Sequence, residues 1–317
     1  MTIEAVCSAL AEIHDVTPVE ADENFYDSIR RLRPDIVFNI AEGLNGVSRE
    51  AQVPAMLDML GIPYSGSDPL TLALCLDKSR TKEVLAHHRI PTPKFHLVES
   101  MEDVRNIHTA LPVMVKPVHE GSSKGIFDAS LARTGTALEG AVEKILYGYG
   151  QPAIVEEYLP GREFTVGIIG NGPDLRVLPV VEINFSSLPE GVNPIYSYEA
   201  KWLWDTIDDP LDIYECPARL DPALADEMAA VCERAYRILR CRDWSRIDVR
   251  LDAAGRPNII EVNPLPGILP NPADNSCLPK AARAAGIPYN ELIRSALGFA
   301  AIRHGLADRP VPVSTVI

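Results

Sequence analysis

The stretch RIDVRLDAAGRPNIIEVNPLPG, residues 246–267, decides how the rest of the chain is read. In RIDVRL the apolar Ile247, Val249 and Leu251 alternate with Arg246, Asp248 and Arg250, the period-2 pattern of a strand with one charged face. Residues 252–255 form a turn signal, and the apolar run from Asn258 to Asn263 reads as the returning strand of a hairpin. Glu261 and Asn263 share one face of that strand, and the register can bring this face beside Asp248. Two carboxylates, an amide oxygen and an arginine then converge. Charged alternation by itself also fits a hairpin face turned to solvent. The rigid PLPG that follows, beside an oxygen-only donor set of the kind hard Mg²⁺ prefers, makes a metal–phosphate site the better reading.

Composition bounds what such a site serves. A chain of 317 residues is too long for one compact core and implies two or three domains. Its hydrophobic share of 46% and charged share of 23% are those of a globular protein. A net charge of -14, without acidic blocks, argues against nucleic acid or an anionic membrane as partner. Any phosphate must therefore meet locally placed cations or a metal. The six cysteines show neither C-x-x-C spacing nor a nearby histidine pattern, so they read as reduced thiols rather than a zinc site or disulfide framework. No targeting leader and no membrane-length apolar run appear, so a soluble cytoplasmic protein is expected.

Three domains are drawn on this chain: 1–76, 77–162 and 163–317. The first opens on a helical spacing over residues 3–13, followed by a helix from Phe25 to Leu32. The short strand DIVFNI, a helix to Leu60 and the strand end IPYSG then predict an open parallel-sheet unit, with ligand-facing loops at 42–46 and 65–68. A helix opens on Asp77 and ends before Pro91. Strand LPVMVKP carries Lys116 among apolar neighbours into the loop HEGSSKGI. Backbone N–H groups of Gly121 to Gly125 can cradle phosphate there while Lys116 neutralises it, although an ordinary hairpin loop has the same composition. QPAIVEEYL ends a strand on two acids, and the backbone at residues 157–159 suits adenine while a carboxylate suits ribose. Residues 186–215 follow no single period and mix aromatics with Lys201, which predicts a functional lid over 191–215. Asp221-Pro222 caps a helix with one apolar stripe that packs on the sheet.

The order of six motifs resembles the ATP-grasp superfamily, most closely the D-alanine–D-alanine ligases: DK at 77–78, VKPxxEGSS at 115–123, EEYLxGRE at 156–163, YEAKW at 198–202, RIDV at 246–249 and EVNPLPG at 261–267. The resemblance covers nearly the whole chain from about Asp35. It implies a mixed α/β fold of three domains with ATP between the central and C-terminal ones. It also implies a carboxylate–amine ligase of peptidoglycan synthesis: ATP phosphorylates a carboxylate, an amine attacks the acyl phosphate, and an amide forms. Carried over by motif, Lys78 and Lys116 bind the phosphates, Glu156, Tyr158, Leu159 and Glu163 bind adenine and ribose, and Glu120, Gly121, Ser123, Glu157 and Ile260 complete the nucleotide site. Asp248, Glu261 and Asn263 hold two Mg²⁺ ions, with Mn²⁺ as substitute. Arg246 and the Gly267 N–H stabilise the oxyanion, Lys201 reaches the transferred phosphate, and Ser122 and Ser276 contact substrate. Small amino acids are the implied partners, and the related ligases are commonly homodimers.

Three departures fall on the substrate side. The opening strand of such ligases, with its glycine-rich loop and glutamate, has no counterpart among residues 1–35, which predicts an incomplete first domain whose true start lies upstream. Glu42 stands where a histidine precedes the loop glycine, and Trp202 stands where the lid tyrosine belongs. Ligation of two amino acids is therefore better supported than D-alanine as substrate; an L-amino-acid or specialised-metabolite dipeptide ligase and a ligation-inactive ATP-binding homologue remain as alternatives.

Overall fold

The computed structural model of the protein describes residues 2–204, 211 and 213–307. Its elements, in chain order, are α1 (Thr2–Ala11), α2 (Phe25–Leu32), α3 (Gln52–Leu60), α4 (Pro69–Leu76), α5 (Lys78–His87), β1 (Phe95–Val98), β2 (Val113–Pro117), β3 (Leu131–Ala132), α6 (Gly135–Glu143), β4 (Ala153–Glu157) and β5 (Glu163–Ile169). They continue as β6 (Arg176–Val177), β7 (Val181–Ile183), β8 (Tyr214–Glu215), α7 (Pro222–Ile238), β9 (Trp244–Leu251), β10 (Pro257–Asn263), α8 (Cys277–Ala284) and α9 (Tyr289–Arg303).

Two antiparallel sheets carry the molecule. The first has the order β1-β4-β2-β3. Its apolar face, with Val113, Val115, Ala153 and Val155, packs on Leu138 and Val142 of α6. The second has the order β10-β9-β5-β7-β8, with β6 on β5. Val166, Val249 and Ile259 of this sheet bury themselves against the stripe Met228, Val231 and Ala235 of α7, as the helical spacing of that segment predicts. Asp221 caps α7 by accepting from the Ala223 N–H at 2.9 Å. The opposite side of β5 carries Gly167, where a Cβ would lie 2.8 Å from Leu278 Cδ1. The missing side chain lets α8 lie close against the sheet beside β9.

The N-terminal region differs from the sequence expectation. In place of an open parallel sheet there is one parallel bridge, Val37 to Tyr64. It rests on the Val37 N–H to Pro63 O and Ser65 N–H to Val37 O bonds, both 2.8 Å. Among the described residues no further strand lies beside these two segments, so the ladder has nothing to propagate on. Residues beyond the bridge use side chains instead, as when the Asn39 N–H donates to Ser65 Oγ at 3.0 Å. Phe25, Ile29, Val53 and Leu57 of α2 and α3 supply this region's core. α1 packs its Val6, Ala9 and Leu10 into the same cluster as Ile293, Ala296, Leu297 and Phe299 of α9, so the two ends of the described chain meet. Part of the expected lid, residues 205–210 and 212, lies outside the described residues.

Candidate active site

Between the sheets lies a cleft of about 360 Å³. Its oxygen-rich wall comes from β9 and β10. The strands pair antiparallel with Ile259 opposite Val249, but the next partners are Glu261 and Asp248. Ile260 is the extra residue of a β-bulge. A regular ladder would place Glu261 opposite Ile247, which lies in the apolar core under α7. The bulge turns Glu261 and Asn263 onto the cleft side, opposite Asp248 and Arg246.

These groups hold one another in place. Asp248 Oδ1 accepts from Thr165 Oγ1 at 2.7 Å; its Oδ2 accepts from Arg246 Nη2 at 3.0 Å and Asn263 Nδ2 at 3.3 Å. Glu261 Oε1 lies 2.8 Å from Lys78 Nζ. Burial alone would raise the Glu261 carboxyl, but the charges of Lys78, Arg246 and Lys116 outweigh it and bring it down to about 2. It is therefore a carboxylate at neutral pH. Lys78 is aimed by its helix start: Asp77 caps α5 by accepting from the Ser79 and Arg80 N–H groups at 2.9 and 3.0 Å. Its ammonium also donates to the Glu120 carbonyl.

Lys116 projects from β2 into the cleft and lies 2.8 Å from Glu156 Oε2 on the neighbouring β4. The other Glu156 oxygen lies 3.1 Å from Lys82 Nζ. Sequence reasoning gave Glu156 to the nucleotide, yet the structure spends both its oxygens on lysines because it sits, 2% exposed, between two buried ammonium groups. Burial would raise this carboxyl, and Lys116 and Lys82 more than offset it, leaving it below the ordinary range.

The apolar end of the cleft is lined by Met114, Tyr158, Leu159, Ile183 and Ile195, with Glu157 beside them. Glu163 lies here too, but its Oε2 is bound by Arg250 Nη1 at 2.7 Å. Arg250 Nη2 reaches Tyr158 Oη at 3.0 Å and Pro194 O at 2.7 Å. Arg250, Lys82 and Glu50 were missed by the sequence reading. The available signals were an arginine on the same face as Asp248 and a lysine one helical turn beyond Lys78.

At the remaining end the loop after β2 meets the lid segment. Ser122 and Ser123 hold left-handed φ values of 54° and 60°. Trp202 Nε1 donates to the Ser122 carbonyl at 3.1 Å, and Ser123 Oγ donates to Tyr196 O at 2.9 Å. Gly125 also has a positive φ, of 76°, and a Cβ there would fall 2.7 Å from Pro117 Cγ. Gly121, Glu42, Glu50, Arg49 and Lys201 line this end. Lys201 has no ion-pair partner among the described residues; burial and the like charge of Arg246 lower its ammonium. Ser276 Oγ is occupied in clamping its own loop, accepting from Leu269 N–H and donating to Gly267 O, both at 3.1 Å. Glu120 is the one expected site residue that does not line the cleft; its carboxylate accepts from Gln151 Nε2 at 2.9 Å instead.

The donor set fits a hard divalent ion bound with phosphate. Two carboxyl groups face each other across one strand pair with an amide beside them, and cations flank the open side. Among the described residues no three His, Cys, Asp or Glu side chains cluster as a metal cage. An ion here would need further oxygens from a ligand, as Mg²⁺ sites on nucleotides have.

Comparison with known proteins finds both sequence relatives and structural neighbours. The family described as "D-ala D-ala ligase C-terminus" matches residues 84–297. A D-alanine–D-alanine ligase of Bordetella petrii is 36% identical over 271 residues, covering 85% of this chain and 77% of its own. An uncharacterized protein of Sinorhizobium fredii is 36% identical over 314 residues, 95% of this chain and 88% of its own. The fold is shared with the crystal structure of the D-alanine–D-alanine ligase of Bacillus anthracis complexed with ATP, at a TM-score of 0.75 and 23% identity, covering 95% of this chain and 91% of that one.

Proposed function

Because the chain belongs to the D-alanine–D-alanine ligase family, we propose that it is an ATP-dependent, ADP-forming ligase that joins two amino acids by an amide bond. The observation that carries this reading is the bulge at Ile260, which sets Glu261 opposite Asp248 and within 2.8 Å of Lys78, in a cleft that also holds Lys116 and Arg246.

In this reading a carboxylate oxygen of the first amino acid takes the terminal phosphoryl group of ATP and ADP leaves. The amine of the second then attacks the acyl carbon, and inorganic phosphate departs as the C–N bond forms and the nitrogen sheds its proton. The protein's task is positioning and charge neutralisation. Lys116, Lys78 and Lys201 face the phosphates, with Gly121 and Ser123 of the loop after β2. Tyr158, Leu159, Glu157, Glu163 and Ile260 border the base and ribose. Asp248, Glu261 and Asn263 would hold two Mg²⁺ ions, or Mn²⁺ in their place, which when bound would neutralise phosphate charge. Arg246 and the Gly267 N–H meet negative charge on the acyl oxygen. Ser122 and Trp202 close the substrate end, and the 191–215 lid excludes the water that would hydrolyse an acyl phosphate.

The segments 1–76, 77–162 and 163–317 act as the three domains of this scheme, and a homodimer is the expected assembly. No helix among the described residues is long and apolar enough to cross a membrane, consistent with work in the cytoplasm on small molecules.

D-Alanine is the first candidate substrate. A second reading keeps the reaction and changes the amino acid, because two carboxylates, Glu42 and Glu50, line the substrate end of the cleft. The test is an ADP-release assay with Mg²⁺-ATP across D- and L-amino acids. Release of ADP and phosphate with dipeptide formation is expected; AMP and pyrophosphate would refute the mechanism, and turnover with D-alanine alone would remove the second reading.

A further inference from the structure

We propose that Lys82 is a positioning residue that acts through Glu156: it serves as a buried counter-charge that leaves the ammonium of Lys116 free to bind an anion. The inference rests on the nucleotide reading of the cleft and adds to it a residue that touches no ligand.

Lys82 is 1% exposed and, unlike Lys116 and Glu156, does not line the cleft. It stands one helical turn after Lys78 on α5, on the face turned inward. A lysine at such a position is costly unless it is paired. It has two partners, Glu156 Oε1 at 3.1 Å and Thr92 Oγ1 at 3.1 Å, and the threonine hydroxyl donates in turn to Ile259 O at 2.8 Å. The ammonium is thus held from two sides, by the first sheet and by the strand that carries Glu261.

The arrangement matters because of what it leaves over. Lys116 lies 2.8 Å from Glu156, close enough that this carboxylate alone would cancel its charge toward an incoming phosphate. Lys78 is likewise opposed by Glu261 at 2.8 Å. Two buried ammonium groups share the single carboxylate of Glu156, so the trio keeps one net positive charge, and of its two ammonium groups the one that lines the cleft is Lys116. A single lysine–glutamate pair at this depth would offer an anion a neutral dipole. Adding Lys82 behind the glutamate turns the same pair into a cationic receptor whose lysine is still held rigidly by a hydrogen bond.

The experiment is calorimetric titration of the purified full chain with ADP in excess EDTA, so that no metal contributes. Lys82→Met should bind ADP about tenfold more weakly, the loss expected for one charge-assisted contact. Glu156→Gln should bind at least as tightly as the wild type. The double variant Lys82→Met/Glu156→Gln, in which Lys116 keeps its charge with nothing opposing it, should recover wild-type affinity within about twofold; replacing both members of a buried pair is commonly tolerated by the fold. Unchanged affinity in Lys82→Met, or a double variant as weak as the single one, overturns the proposal. Should Lys82→Met show no cooperative unfolding, Glu156→Gln decides alone: weaker binding than wild type overturns it. Wild type that binds no ADP would remove the nucleotide reading together with this inference, whereas wild-type binding with the wrong variant pattern removes only the inference.

Discussion

Glu261 faces Asp248 across the β9–β10 pair only because Ile260 is an extra residue in the returning strand. The first prediction concerns the charge it delivers. Glu261→Gln keeps the shape, and the carboxylate's buried partner Lys78 retains an acceptor, so thermal unfolding should move by a few degrees at most. Turnover should fall by about 10²-fold or more, since the site loses one of its two facing carboxylates. Deleting Ile260 should abolish turnover as well and also lower stability, because it drives Glu261 toward the apolar core beside Ile247. Steady-state kinetics with a melting curve checks both, and a Glu261→Gln enzyme of wild-type activity would refute the metal assignment.

The second prediction concerns Arg250, which binds Glu163, Tyr158 and the Pro194 carbonyl from the same cleft face. Arg250→Met leaves Glu163 buried and without its cation, so stability at neutral pH should drop by about 3 kcal/mol. The double variant Arg250→Met/Glu163→Gln should regain most of that. Urea unfolding monitored by fluorescence measures it; a loss in the single variant under about 1 kcal/mol would show the pair to be solvated.

A third prediction follows from Glu50. Burial, then the neighbouring charge of Glu42, pushes its carboxyl up to about 7. An acid whose folded-state pKa is raised holds its proton more tightly when folded, so it favours the folded state most below its ordinary value of 4.5 and loses that contribution as pH rises through about 7. Glu50→Gln should therefore gain melting temperature relative to the wild type as pH goes from 5 to 8. A difference between the two curves that is flat over this range would show Glu50 to be ionised throughout.

These residues also mark what was legible beforehand. Strict period-2 alternation in RIDVRL, a capped α5 opening on Asp77 and the order of six motifs were enough to place nearly all of the expected site residues along one cleft. The bulge was not legible, because a two-residue period says which side chains share a face of one strand but not where its partner slips by one. The partners of Glu156 were also hidden. A carboxylate at a strand end reads as ligand-facing until the fold shows Lys82 behind it, and that contact spans 74 positions between 82 and 156. The parallel sheet expected from DIVFNI (35–40) and IPYSG (62–66) reduced to the Val37–Tyr64 bridge, because local apolar runs announce strands without announcing whether neighbours exist to pair with them.

The last prediction sets function against stability at Lys201. Its ammonium has no carboxylate partner among the described residues, sits half-buried between the rings of Tyr196 and Trp202 at 5.9 and 5.7 Å, and feels the like charge of Arg246. Cation–ring attraction of this kind returns about 0.5–1 kcal/mol, less than the cost of withdrawing an unpaired charge from water. Asp248 and Glu261 favour the ammonium only at a distance, so an entering anion would meet its charge more fully than the described residues do. Lys201→Met should consequently raise the melting temperature of the ligand-free protein by a few degrees while lowering turnover by about tenfold or more. Adding ADP and phosphate should then stabilise the wild type by more than it stabilises the variant, since the wild type brings one more cation to the anion. A thermal-shift series with and without ligand measures both; a variant that melts lower than wild type without ligand would mean that Lys201 is already compensated in the free enzyme.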